Sequence, residues 1–174
     1  MEDRRTRYTK IVIKEALIEL LEQKPLNKIT VTELCTKCEI NRSTFYRYYL
    51  DVYDLWDKLK SQFVSELKAA ISISKDDYTI SGFTEEILEV ILNNKELSRI
   101  LFTLKNGKDF LDDVLEIAHM KCVEKWARTG KNLPEKQIAY LSTFISAGTI
   151  GVLDDWIFFF YNAAPTEIAE LIEN

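Results

Sequence analysis

Residues 29–55 read ITVTELCTKCEINRSTFYRYYLDVYDL, and their spacing predicts two short helices joined by a tight turn. Thr30 followed three residues on by Glu33 is a capping box, which opens a helix of about two turns. After Lys37 come Cys38, Glu39 and Ile40, then Asn41, a residue suited to cap a second short helix. Helix, three-residue turn and helix together predict a helix-turn-helix. In this register Leu34, Ile40, Phe45 and Tyr49 point inward, while Arg42, Ser43, Thr44, Tyr46, Arg47 and Tyr48 are left for the outer face. An ordinary three-helix cluster has no need of such a face. Arginine can fork onto guanine O6 and N7, and hydroxyls and phenols can position on phosphate, so the pattern points to DNA.

Working outward, an apolar stripe of Ile13, Leu17, Leu20 and Leu21 predicts a preceding helix from about Thr9 to Gln23, closed by Pro25. Ahead of it lies the densest basic cluster, Arg4, Arg5, Arg7, Lys10 and Lys14. As an arm it would touch phosphate or the minor groove. After the motif, Asp51 or Asp54 caps a long helix carrying Leu55, Leu59, Phe63 and Leu67 and fading near Ser72. Residues 72–81 are polar and irregular. Helices are then expected over 83–93, over 95–105 with Asn94 as cap, over 109–129 closed by Gly130, and over 134–162, with a tail helix from Pro165. Period-2 alternation is confined to short runs. The expected fold is all-α, with an N-terminal three-helix helix-turn-helix domain (1–53) and a C-terminal helical ligand-binding and dimerisation domain (54–174).

The helix over 134–162 is apolar on two sides. One stripe is Ile138, Leu141, Ile145, Gly148, Val152, Trp156 and Phe159; the other is Tyr140, Phe144, Ala147, Gly151 and Phe158. Both must be covered, one within the chain and one from outside. The small residues Ala147, Gly148 and Gly151 would admit a close helix, so Ile145, Gly148, Val152, Trp156 and Phe159 are the candidate dimer contacts. The apolar run 140–164 is long enough to span a bilayer. Asp154 and Asp155 near its middle would each cost roughly 2.5–3.5 kcal/mol there, which argues against a span and against a membrane partner.

The 174 residues, 47% hydrophobic with five Gly and three Pro, suffice for a core without disulfide or metal staples, and exclude low-complexity classes. Three Cys and an N-terminus without an apolar segment suggest a reducing, cytoplasmic setting. The net charge of −5 excludes a general polyanion coat. Residues 1–60 nevertheless carry 12 Lys and Arg against 10 Asp and Glu, whereas 61–174 carry 11 against 18. Cys35-x-x-Cys38 and His119-x-x-Cys122 could nominally supply four zinc ligands, but the pairs fall in different domains and no βαβ pattern surrounds the first. His119 is the only His, and no acid or nucleophile stands at a revealing spacing. Neither a metal, a cofactor nor a catalytic group is expected.

The stretch 29–55 resembles the DNA-binding signature of the TetR/AcrR family of bacterial transcriptional regulators. The likeness rests on Thr30-Val31, Leu34, the Ile40 turn, Thr44-Phe45-Tyr46, Tyr49 and Leu55 after an acidic cap, and runs from Tyr8 to Leu59. Gly148-Thr149-Ile150-Gly151 followed by Trp156 is similar to a subgroup containing dihydroxyacetone-kinase regulators. The resemblance implies a homodimer on a palindromic operator, released by an effector bound in the second domain. It places Arg42, Ser43 and Thr44 at base and phosphate contacts, Tyr46 and Tyr48 at phosphates, and Thr30 and Thr32 where a helix end meets the backbone. Arg47 shares their face. The sequence departs from the family pattern at Glu39, where the turn usually has Gly, and at Val52, where a Lys usually opens the next helix.

The expected function is a ligand-responsive repressor. Phe83, Phe102, Phe110 and Trp126 are the candidate effector-pocket residues, and nothing in the sequence fixes the effector's chemistry. Two alternatives stay open. One is a regulator or activator controlled by a partner protein. The other, motivated by Glu39 and Val52, is a small-molecule-binding or interaction module that has lost DNA binding.

Overall fold

The computed structural model describes residues 3–73, 80–103, 134–159 and 161–173, with residues 116, 119, 120 and 123 between them. Among the described residues all regular structure is helical. The chain divides into two units, Met1–Phe63 and Val64–Asn174.

In the first unit, α1 (Arg4–Leu21) begins at Arg4 and not near Thr9 as its apolar stripe predicts. Arginine is a good helix former, and Arg7 N–H donates to Asp3 O (3.1 Å), so the basic segment is helical. Ile13, Ala16, Leu17 and Leu20 form its buried face. Pro25 then leads into a 3₁₀ turn, Leu26–Lys28. Next comes α2 (Val31–Lys37), whose capping box forms as expected. The Thr30 hydroxyl accepts from the Glu33 amide (3.2 Å). The Glu33 carboxylate takes Lys24 Nζ (2.5 Å) and the Thr30 backbone N–H. Those contacts, the lysine first, hold the Glu33 carboxyl below its usual range. Lys37 pairs with Glu19 (2.5 Å), which ties α2 to α1. Exposed pairs of this kind contribute about 0–1 kcal/mol each, so apolar burial dominates.

The second helix of the motif, α3 (Arg42–Tyr46), is shorter than two turns. Asn41 holds the cap position through its carbonyl, which accepts from Thr44 and Phe45. Its side chain makes no cap hydrogen bond, contrary to the sequence expectation. A long helix α4 (Val52–Ile73) follows. Asp51 is its cap, its Oδ1 accepting from the Asp54 amide at 2.8 Å. Leu55, Leu59, Phe63 and Leu67 are buried along it, and the boundary between units falls within this helix.

The second unit contains α5 (Ile80–Asn93), α6 (Lys95–Thr103), α7 (Glu135–Phe158) and α8 (Pro165–Glu173). α5 packs along α8, and α6 packs against α7. Leu88, Ile91, Leu97, Leu101, Leu153, Trp156, Ile157 and Ala169 are buried. Asn94 links α5 to α6 through its carbonyl, which accepts from Ser98 N–H (2.8 Å), while its amide donates to Glu66 (3.1 Å). The helix expected over 109–129 lies outside the described residues, apart from positions 116, 119, 120 and 123. α7 stops at Phe158, four residues short of the predicted end. Tyr161, with φ 58°, turns the chain back: its N–H donates to Trp156 O (2.9 Å) and its hydroxyl to Lys95 O (2.9 Å). Burial pushes the Tyr161 phenol up to about 12. Among the described residues, no helix is long and apolar enough to cross a membrane.

Candidate nucleic-acid interface

The candidate interface is built on the back of α3. Phe45 is fully buried, with its ring 5.6 Å from that of Tyr49 and edge-on to Tyr46. Once Phe45 points inward, helical geometry turns its neighbours out. Arg42, Ser43, Tyr46 and Arg47 are exposed, and Thr44 is half-buried. Five residues thus present two guanidinium groups, two hydroxyls and a phenol beside one another.

The turn that aims this helix is a Schellman motif. Ile40 N–H donates to Cys35 O (3.0 Å) and Glu39 N–H to Thr36 O (3.3 Å). The motif needs a left-handed residue, and Glu39 supplies it with φ 55°, where a side chain costs roughly 1–2 kcal/mol. The turn is therefore strained, as the missing glycine predicts, and it presents an exposed carboxylate.

Tyr48 is less free than its place in the sequence suggests. It is half-buried, its hydroxyl lies 3.4 Å from Thr6 Oγ1, and Lys10 Nζ lies 5.7 Å from its ring centre. Lys58 Nζ donates to its carbonyl (3.2 Å) and sits 5.3 Å from the Tyr49 ring. Thr30 and Thr32 are exposed at the start of α2. Thr30 accepts in the capping box, which leaves its O–H as a donor. Val52 is buried, so α4 opens with no cation at that position. Arg4, Arg5 and Arg7 stand exposed on the first turns of α1. Sequence spacing misses Leu50, 79% exposed between α3 and α4, because periodicity has no hold on a residue in a turn.

The cysteines of the motif are packing residues here. Cys35 is buried, and Cys38 is half-buried with its thiol donating to Val12 O (3.4 Å). Burial raises both thiols, Cys38 to about 11, so neither is a ready thiolate. His119 is half-buried, and Cys122 lies outside the described residues.

In the second unit the outward face of α7 is the stripe Tyr140, Phe144, Ala147, Gly151 and Phe158, with Tyr140 and Phe144 76% and 77% exposed. Among the candidate dimer contacts, Gly148 and Phe159 are exposed, and Ile145 and Val152 are half-buried. Trp156 departs from the expectation. It is only 2% exposed, with its indole N–H on Ala163 O (2.9 Å) and its ring edge-on to Tyr161 at 4.9 Å. It is packed inside its own unit. A Cβ at Gly148 or Gly151 would meet nothing within 4 Å. Of the candidate pocket residues, Phe102 is buried in α6 and Phe83 lies in α5 with its side chain outside the described set. Phe110 and Trp126 lie outside the described residues.

Comparison with known proteins agrees with this architecture. Residues 78–174, more than half of the chain, match the family model TetR_C_8, the transcriptional regulator C-terminal region. No curated protein matches the chain. Among solved structures, the dihydroxyacetone kinase operon activator DhaS is similar over 94% of this chain and 91% of its own, with 17% identity and a TM-score of 0.67. A TetR-family regulator from Syntrophomonas wolfei is similar over 95% and 91%, with 20% identity and a TM-score of 0.66. A regulator of the same family from Aquifex aeolicus VF5 is similar over 95% of each chain, with 16% identity and a TM-score of 0.66. Identities this low speak for the fold alone, whereas the family match covers the C-terminal half by sequence. The chain belongs to the TetR/AcrR family of transcriptional regulators.

Proposed function

We propose that this regulator is a ligand-responsive repressor that binds a palindromic operator sequence-specifically as a homodimer. The observation that carries the DNA contact is the exposed face of α3, where Arg42, Ser43, Tyr46 and Arg47 surround a helix anchored by the buried Phe45. Arg42 and Arg47 are suited to fork onto guanine edges, and Ser43, Thr44, Tyr46, Tyr48, Thr30 and Thr32 to position on phosphates. Two such faces must lie about 34–36 Å apart to enter successive major grooves, which calls for a two-fold dimer. The exposed apolar stripe of α7 supports that dimer, with Gly148 and Gly151 leaving room for a close helix. The effector would act from the second domain by changing the spacing of the two faces.

Selection of genomic fragments by the purified protein tests this. The expected result is an enriched palindrome, bound with a log–log salt slope of several units. Absence of enrichment, with weak binding to every duplex, would overturn it.

The sense of regulation has a second reading, in which the chain is an activator controlled by a partner protein. It draws on DhaS, which is named as an operon activator. A reporter fused to the enriched site separates the two, rising on deletion of a repressor and falling on deletion of an activator.

A further inference from the structure

The two helix starts that flank the α3 face carry opposite charge. Residues 51–58, at the opening of α4, hold Asp51, Asp54 and Asp57 against the single base Lys58. Two amide groups beside these carboxylates are already taken: Asp54 N–H donates to Asp51 Oδ1 (2.8 Å), and Leu50 N–H to Asp54 Oδ2 (2.9 Å). Free helix-start amides are what would bind phosphate. Lys58, though exposed, is engaged locally, with Asp54 (2.8 Å), the Tyr48 carbonyl and the Tyr49 ring. Its contact and that of Leu50 hold the Asp54 carboxyl below the usual range, so the carboxylate stays charged. A DNA phosphate at this end would meet three carboxylates, with the Lys58 ammonium already paired to one of them.

The start of α1 is the reverse. Within residues 1–14, five bases stand against Glu2 and Asp3. The segment is helical and fixed beside the end of α3: Thr6 meets the Tyr48 hydroxyl at 3.4 Å and Lys10 lies over its ring. Arg4, Arg5 and Arg7 flank Thr6 and are exposed. A docked helix holds these groups beside the reading face as a fixed cationic edge, whereas an extended arm would thread into a groove.

We infer that the phosphate grip of this protein lies on the first turns of α1, where Arg4, Arg5 and Arg7 hold the DNA backbone beside the α3 face, and not on the carboxylate-capped start of α4. This rests on the DNA-binding function proposed above, and it adds which backbone contacts the chain makes and by what chemistry.

The test is a salt titration of a labelled duplex carrying the enriched site, using the full chain and an R4Q/R5Q/R7Q variant. Glutamine keeps the helix, and an unchanged thermal melt verifies folding. Each phosphate left without its cation removes about 0.9 from the log–log slope, so a drop of about two to three units is expected, with affinity reduced at least tenfold at low salt. An R4K/R5K/R7K variant is expected to restore the slope, because phosphate attraction needs the charge and not the fork. The loss is expected to be equal on A·T-rich and G·C-rich flanks. An unchanged slope in the glutamine variant, failure of the lysines to restore it, or a loss confined to A·T-rich flanks, which marks a minor-groove arm, would each overturn the inference while DNA binding stands. If the unaltered protein shows no salt-dependent binding, the DNA-binding function itself falls, and this inference with it.

Discussion

α3 and α7 solve the same problem in opposite ways. Each is a helix with one side buried and the other exposed. α3 hides Phe45 and shows guanidinium and hydroxyl groups, while α7 hides Leu153, Trp156 and Ile157 and shows Tyr140, Phe144 and Phe158. Water solvates the first face well, so its polar groups cost nothing when free and wait for a partner of opposite charge. The second face is poorly solvated, so covering it with another apolar surface is favourable at roughly 25 cal/mol per Å². A charged face suits DNA and an apolar one a second protein surface, and the difference lies in side chains on the same backbone geometry.

The sharpest way to break the first face is from behind. Phe45→Ala is expected to cost about 3–5 kcal/mol, because it empties a fully buried ring position at the centre of the motif. A denaturant melt should show the loss, and operator binding should disappear with it. Substituting only the outward groups should separate stability from function. Arg42→Ala with Tyr46→Ala is expected to leave the melt unchanged and to lower operator affinity by about 1–3 kcal/mol for each base that is no longer read, followed by fluorescence anisotropy. If the melt falls as far as the affinity, the face is structural.

α7 should respond in the reverse sense. Gly148→Ala and Gly151→Ala meet open space within the chain, and alanine in a helix interior is roughly 0.5–1 kcal/mol better than glycine per site. Each unassociated chain should therefore gain stability while association weakens, measured as the sedimentation equilibrium constant. Unchanged association would place the partner surface elsewhere. Between the two faces in expected size is Glu39→Gly, which relieves a left-handed side chain. It should add about 1 kcal/mol, or about 2–4 °C in melting temperature for a chain of this length.

The smallest effect concerns pH. Folding lowers the Glu33 carboxyl through Lys24, so the stability it lends is present above the unfolded value and fades as pH falls through the folded one. Glu33→Gln should flatten that acid limb of the stability profile, followed by melts at stepped pH.

Much of the helix-turn-helix was legible because its signals are local. The Thr30–Glu33 box, the turn at Glu39 and the inward register of Leu34, Phe45 and Tyr49 involve residues a few positions apart. What escaped the sequence was held by distant contacts. The extension of α1 back to Arg4 has no apolar stripe to announce it, and it docks through Thr6 on Tyr48, 42 residues away. The end of α7 is hidden in an aromatic run with no glycine or proline to mark it. Tyr161 stops it with a hydroxyl that reaches Lys95. Trp156 was ambiguous for a related reason. On a helix apolar on both sides, periodicity finds the stripes but cannot say which is inside, and the indole N–H on Ala163 decides that only in three dimensions.

The most direct test of the central claim is to measure binding to the enriched duplex and to a mixed-sequence duplex of equal length, for the unaltered protein and for the Arg42→Ala, Tyr46→Ala variant. The expected result is a salt-sensitive preference of the unaltered protein for the enriched site, and collapse of that preference in the variant with residual binding to both duplexes. An equal preference in the two proteins would contradict the assignment of α3 as the reading face.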